Sequence, residues 1–326
     1  MLFRSMHNRV TGLNGIRWQY DIHGRTTEKD DGQTRWRYRY DGEHRLTEVI
    51  SEPRDRNKPR TKVSFRYDPL GRRISKTSQQ LLQGRPWGNA VTTRFVWEGY
   101  RLLQEIHDGT PLTCVYSDSQ SYEPLARIDG VESPEIYWFH NAANGMPELL
   151  TDAEGQKAWE GINSPWGKLL RESSQRLPAV QQNLRMQGQY LDRETGLHYN
   201  LFRYYDPDSG RFTQQDPIGL AGGINLYEFA PNAINWIDPL GLSKCSLASK
   251  MVKAVNGRMP INSKFSGKMY PIESLPVVIR HKYPHSVPFN HAGFPDFTRY
   301  SIRNVRIELG RTRAIDFSRA DKAAGY

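Results

Sequence analysis

A chain of 326 residues, 37% hydrophobic and 25% charged, is long enough for two ordinary domains and apolar enough to bury a core, which excludes a disordered polymer. No run approaches the roughly 18 uncharged apolar residues of a membrane-crossing helix, and the opening MLFRSMHNRVTG is too briefly apolar for a secretion signal, so membrane insertion is not expected. The formal charge of +10 is unevenly placed: residues 243–326 carry 15 Lys and Arg against 5 Asp and Glu, while residues 1–242 carry 30 of each.

The first predicted elements are strands joined by a recurring turn. YDIHGRTTEK from Tyr20, YDGEHRLTEV from Tyr40 and YDPLGRRISK from Tyr67 share Tyr-Asp, a turn containing Gly or Arg, and a polar continuation. The runs before them alternate. Trp36, Tyr38 and Tyr40 fall on one face of RWRYRY while Arg35, Arg37 and Arg39 fall on the other, and Val63, Phe65 and Tyr67 share a face of VSFRY. Asp followed by Gly, as at Asp41, or by Pro, as at Asp68, closes a strand, because Pro presets φ and Gly tolerates positive φ. Weaker copies continue through PEIYWFHNAANGMPELLTDAEG, so residues 1–185 are expected to form a sheet of hairpins. Two cysteines, Cys114 and Cys245, show no CxxC spacing and suggest neither a disulfide framework nor a zinc site, as in a protein made for a reducing cytosol.

Residues 186–242 contain one five-residue word twice, Asp216-Pro-Ile-Gly-Leu220 and Asp238-Pro-Leu-Gly-Leu242. Related turns occur in YDPLGR and YDPDSGR, so both words also read as plain strand-ending turns. Two features point further: the repeats stop at Leu242, and the charge balance changes there. A boundary marked in this way suits a processing site. Two carboxylates at about 3 Å cannot both ionise, so the ionised one activates water while the protonated one polarises a carbonyl. The intervening AGGINLYEFAPNAINWI offers two glycines for a sharp reversal and an apolar remainder to bury both acids, and Pro217 and Pro239 stiffen the backbone beside them.

The tail, residues 243–326, reads as a small α+β unit: its prolines forbid long helices, YSIRNVRIEL alternates as a strand, and RAIDFSRADKAAGY starts a helix. His281, His285 and His291 are spaced four and six apart across prolines, which suits loop histidines better than a metal centre. Its excess charge is expected to give weak, sequence-independent nucleic-acid binding. No cofactor is expected.

The Tyr-Asp words resemble the YD repeats of Rhs proteins, and YLDRETGLHYNLFRYYDPDSGRFTQQDPIGLAGGINLYEFAPNAINWIDPLGL resembles the Rhs-associated core that ends them. The resemblance covers about residues 10–242. It implies an open, twisted, mostly β antiparallel sheet that is part of a hollow shell, followed by a variable toxin tip. It further implies a self-cleaving aspartyl protease motif, with Asp216 and Asp238 as the dyad and Leu242–Ser243 as the bond cut once in cis. Related toxin-complex shells use an arginine just upstream, for which Arg211 is the nearest candidate. The tip is similar to the first part of HNH/endonuclease VII-like toxins in YPHSVPFNHAGFPDF and DFSRADKAAG. The Trp-His-His run of that family is not reached by Tyr326, so the tip is expected to be incomplete and without nuclease activity. More repeats are needed for a closed shell than residues 1–242 hold, so a displaced or truncated Rhs end is expected. The implied partners are an immunity protein and type VI secretion spike components, with the chain cytoplasmic before delivery by a contact-dependent system. Two other functions fit the sequence: a noncatalytic YD-repeat binding module presenting Trp and Tyr, and an active HNH-type DNase.

Overall fold

The computed structural model describes residues 3–6, 8–118, 121–175, 181–242, 244–246, 269–271 and 286–288. The chain divides into two units, Met1–Lys244 and Cys245–Tyr326. Among the described residues, no helix is long and apolar enough to cross a membrane.

The first unit is built on one antiparallel sheet of sixteen strands, β1 (Phe3–Met6) to β16 (Leu169–Ser174), each paired with its sequence neighbours. The sheet is open, with β1 and β16 at its edges. The repeat explains this order. In β3 (Ile16–Tyr20), β5 (Thr34–Tyr40) and β7 (Arg60–Tyr67) the register shifts just before the terminal tyrosine, and the bulge re-aims that side chain. Tyr20, Tyr40 and Tyr67 each donate their hydroxyl to a carbonyl of an earlier strand, those of Val10, Thr26 and Leu46, at 2.8, 2.9 and 2.5 Å.

The next residue turns the chain. Oδ1 of Asp21 accepts the N–H groups of His23 and Arg25, and Oδ2 accepts Arg25 Nε at 2.7 Å. Asp41 with Arg45 and Asp68 with Arg72 repeat the arrangement at 2.8 and 2.6 Å. The position three after each aspartate has positive φ: Gly24 at 75°, His44 at 63° and Gly71 at 80°. The arginine that closes one turn then lies over the tyrosine of the following repeat, Arg25 5.1 Å from the Tyr40 ring and Arg45 5.4 Å from that of Tyr67. Each repeat is therefore held to its neighbour by two devices besides the strand ladder, the tyrosine hydroxyl and the arginine.

The two faces differ as the alternation predicts. On the outer face Arg35, Arg37 and Arg39 pair with Glu28, Glu52 and Glu48. On the inner face Tyr38 is buried, and Trp36, Tyr40 and Tyr67 pack against the core, so these repeat aromatics are not presented to solvent as an exposed binding face would require.

What the inner face packs on is a second, four-stranded sheet: β17 (Tyr190–Asp192), β18 (Leu197–Asn200), β19 (Arg203–Asp206) and β20 (Arg211–Phe212). Every residue of β17, β18 and β19 is buried, so both of its faces are covered. Tyr38, Leu46, Val49, Val63, Phe65, Phe95 and Leu102 of the large sheet form one core with Tyr190, Leu197, Tyr199 and Tyr204 of the small one. Buried ion pairs join the same two surfaces, Lys29 to Asp206 at 2.8 Å and Arg73 to Asp192 at 2.6 Å.

In the second unit, described strands are Cys245–Ser246 and an antiparallel pair, Met269–Pro271 with Ser286–Pro288. The helix expected in RAIDFSRADKAAGY, the strand expected in YSIRNVRIEL, and His281, His285 and His291 lie outside the described residues.

Candidate functional site

The two Asp-Pro-x-Gly-Leu words are both turns, and their aspartates meet. In the first, Asp216 O accepts the N–H of Gly219 at 2.9 Å and its Oδ1 accepts that of Ile218 at 3.1 Å. In the second, Asp238 O accepts the N–H of Gly241 at 3.3 Å and its Oδ1 accepts that of Leu242 at 3.0 Å. Close backbone packing locates the second turn. A Cβ on Gly188 would come 2.1 Å from Pro239 O, and one on Gly241, where φ is already +67°, would come 2.5 Å from Asn200 O. Asn200 Nδ2 donates to Asp238 O at 2.9 Å.

Between the acids stands Arg203. The hairpin from β18 to β19 pairs Asn200 with Arg203 across Leu201 and Phe202, which sets Arg203 at the start of β19 with 1% of its side chain exposed. Its Nη2 lies 3.0 Å from Asp216 Oδ2 and 3.4 Å from Asp238 Oδ2. Nε donates to Gly241 O, Nη1 donates to Leu226 O at 3.1 Å, and the guanidinium lies 3.7 Å from the Phe212 ring centre. Burial lowers its pKa to about 10, against the pull of the two carboxylates, so it remains a cation at neutral pH. Asp216 and Asp238 thus face one shared guanidinium nitrogen, a different electrostatic arrangement from two carboxyls held only by a common proton.

The bond that follows the second word borders this group. A Cβ on Gly222 would lie 2.2 Å from Asp216 Oδ2 and 2.7 Å from Leu242 O, so the carboxyl and the carbonyl crowd the same small volume. Ser243 lies outside the described residues. A cleft of about 430 Å³, lined by His23, Arg25, His44, Phe202 and Gln214 among others, reaches Asp216 from the side of the repeat turns and gives water a route to it.

Arg211 takes no part in this group. It is turned to the surface, where Nη1 donates to Asn8 O at 2.6 Å and tethers β20 to the first repeats. The arginine at the acids is Arg203, eight positions earlier. A signal for it stands in the sequence: in LHYNLFRYYD a lone cation sits among Leu201, Phe202, Tyr204 and Tyr205, and an arginine buried in such a run needs acids to meet it. Among the described residues no group of three or more His, Cys, Asp or Glu is placed to hold a metal ion.

Fold and site together define a class: a YD-repeat sheet wrapped on a buried terminal core, as in the shells of toxin carriers. The sequence matches the family described as RHS protein over residues 136–173. It is 43% identical over 256 residues to double-stranded DNA deaminase toxin A of Burkholderia cenocepacia, covering 72% of this chain and 17% of that protein. It is 32% identical over 254 residues to probable deoxyribonuclease RhsA of Dickeya dadantii, covering 73% and 16%. The fold resembles part of the Tc holotoxin pore of Photorhabdus luminescens, with a TM-score of 0.52, 20% identity, and coverage of 71% of this chain and 13% of that one. The chain belongs to the Rhs family, and it spans less than a fifth of the length of these curated relatives.

Proposed function

We propose that this chain is part of an Rhs toxin carrier, and that Asp216, Asp238 and Arg203 cut the Leu242–Ser243 bond once, in cis, freeing the residues that follow. The observation that carries the reading is the meeting of both aspartates on Arg203 Nη2 beside the Leu242 carbonyl. Both carboxyls face Arg203 and accept a backbone N–H, Asp216 from Ile218 and Asp238 from Leu242, and in this reading they share one proton. Asp216 Oδ2 and Leu242 O border the same small volume at Gly222, where the protonated member of the pair polarises the carbonyl. Water from the cleft, which borders Asp216, adds its oxygen to the Leu242 carbonyl carbon and gives a proton to the ionised member of the pair. The C–N bond then breaks, the amine of Ser243 takes up a proton, and Leu242 leaves as a carboxylate. Arg203 offsets the negative charge that builds up.

The relatives named as toxins support delivery of the freed tip into other cells. An immunity protein as the producer's protection and type VI spike components as the delivery partner belong to the same proposal. The excess positive charge after residue 242 supports nonspecific binding of nucleic acid by the tip.

The test is intact-mass measurement on freshly synthesised full chain. Wild type separates into residues 1–242 and 243–326, whereas Asp216→Asn and Asp238→Asn stay whole. A wild-type chain that stays whole on prolonged incubation refutes the reading.

A further inference from the structure

The chain is held on both sides of the proposed cut. On the near side, Leu242 N–H donates to Asp238 and Gly241 O accepts from Arg203. On the far side, Lys244 Nζ pairs with Glu228 Oε2, and both side chains are partly buried. Glu228 is itself fixed: its N–H donates to Asn225 O at 3.1 Å, and its backbone bridges that of Arg211.

The floor between these holds is a pair of glycines. Gly222 lies under Leu242, since a Cβ there would come 2.7 Å from Leu242 O. Gly223 lies under Lys244, since a Cβ there would come 3.3 Å from Nζ and 3.8 Å from Cε. Two successive glycines therefore support the residues on either side of Ser243, in register with them. Any side chain at Gly222 would displace either Asp216 or the carbonyl it faces.

We infer that Glu228 and the Gly222–Gly223 floor form a subsite for a cationic side chain two residues beyond the cut, with Glu228 as a positioning residue. The inference rests on the reading of Leu242–Ser243 as the severed bond. It makes the second residue of the tip a determinant of processing: Lys or Arg is accepted there, and Glu or an apolar residue is drawn in poorly. Tethering raises the local concentration of Lys244 at Glu228 only while the chain is whole. Once the bond is cut, a partly solvated ion pair of this kind retains the tip weakly, so the same contact that positions the bond does not trap the product.

The experiment follows the first-order cleavage of pulse-labelled full chain in cell-free synthesis. Lys244→Met and Glu228→Gln are expected to slow cleavage about fivefold, the kinetic equivalent of about 1 kcal/mol for a partly exposed pair. Lys244→Arg is expected to cut at close to the wild-type rate. The exchanged pair Glu228→Lys with Lys244→Glu is expected to recover most of the rate, which a general loss of folding would not allow. Wild-type rates for Lys244→Met and Glu228→Gln, or no recovery in the exchanged pair, overturn the subsite while Asp216→Asn, remaining uncut, leaves the proposed site standing. An uncut wild type overturns both.

Discussion

Arg73 Nη1 lies 2.6 Å from Asp192 Oδ2, and neither side chain has exposed surface. The pair ties the repeat sheet to the small core sheet at a point where water cannot compensate either charge. The rest of the guanidinium lies against aromatic rings, 4.3 Å from the centre of Tyr199 and 4.5 Å from that of Phe95, where its Nε and Nη2 have no hydrogen-bond partner among the described residues. Arg73→Met is expected to destabilise the first unit by about 3–5 kcal/mol, because it strands a buried carboxylate whose other cation, Lys76, is 3.5 Å away. Denaturant unfolding measures this, and a loss under 1 kcal/mol would show that Lys76 suffices.

Arg203 and Arg211 are expected to part company in a cleavage assay. Arg203→Ala leaves Asp216 and Asp238 facing each other without a cation and should abolish separation of residues 243–326. Arg211→Ala removes a surface tether to Asn8 and should leave the rate within about twofold of wild type, since an exposed contact of this kind contributes little. The reverse ranking would return the catalytic cation to Arg211.

The repeat turn can be tested at Gly71. Its φ is +80°, and an added Cβ would meet only the Phe202 ring, at 3.5 Å, which is ordinary contact. Gly71→Ala should therefore cost about 1–2 kcal/mol from backbone conformation alone. At His44, which already bears that strain with φ 63°, His44→Gly should be neutral or stabilising. Thermal unfolding of both variants gives the comparison.

Acid should loosen the repeats. Burial alone would raise the pKa of Asp21, Asp41 and Asp68, but the N–H groups and arginine of each turn outweigh it and hold all three below the ordinary 3.8. A carboxyl depressed on folding contributes stability that is present above its unfolded value and is lost as pH falls through the folded one. The sheet is thus expected to hold its stability down to about pH 4 and to lose it below that. Asp68→Asn should flatten the acid limb of a denaturation-against-pH curve. An unchanged limb would place the acid sensitivity elsewhere.

The positive tail should bind DNA without reading it. Full chain carrying Asp216→Asn, which keeps the tip attached, is expected to retard duplexes of unrelated sequence equally and to release them as salt rises, because the driving force is counterion release. Binding that survives high salt or prefers one sequence would contradict this.

Much of the sheet was legible in the sequence. Period-two alternation in RWRYRY fixes which side chains share a face, and the Tyr-Asp word with its arginine four residues after the aspartate fixes where each of these strands ends, because both depend on interactions within a few residues. The spacing of the two Asp-Pro-x-Gly-Leu words likewise marked out two similar turns. The partner of each acid was not legible. Arg203 reaches Asp216 and Asp238 only because β19 is buried inside the wrapped sheet and two glycines, Gly188 and Gly241, let the second turn lie against it. Nearness along the chain pointed to Arg211, five residues before Asp216, but the alternation of β20 and its pairing with the first repeats turn that side chain to the surface. The glycines of AGG read as a reversal, and their absent side chains also make room for Asp216, Leu242 and Lys244. Local rules decide turns and faces, whereas the company a buried charge keeps is decided by which distant segments exclude water from it together.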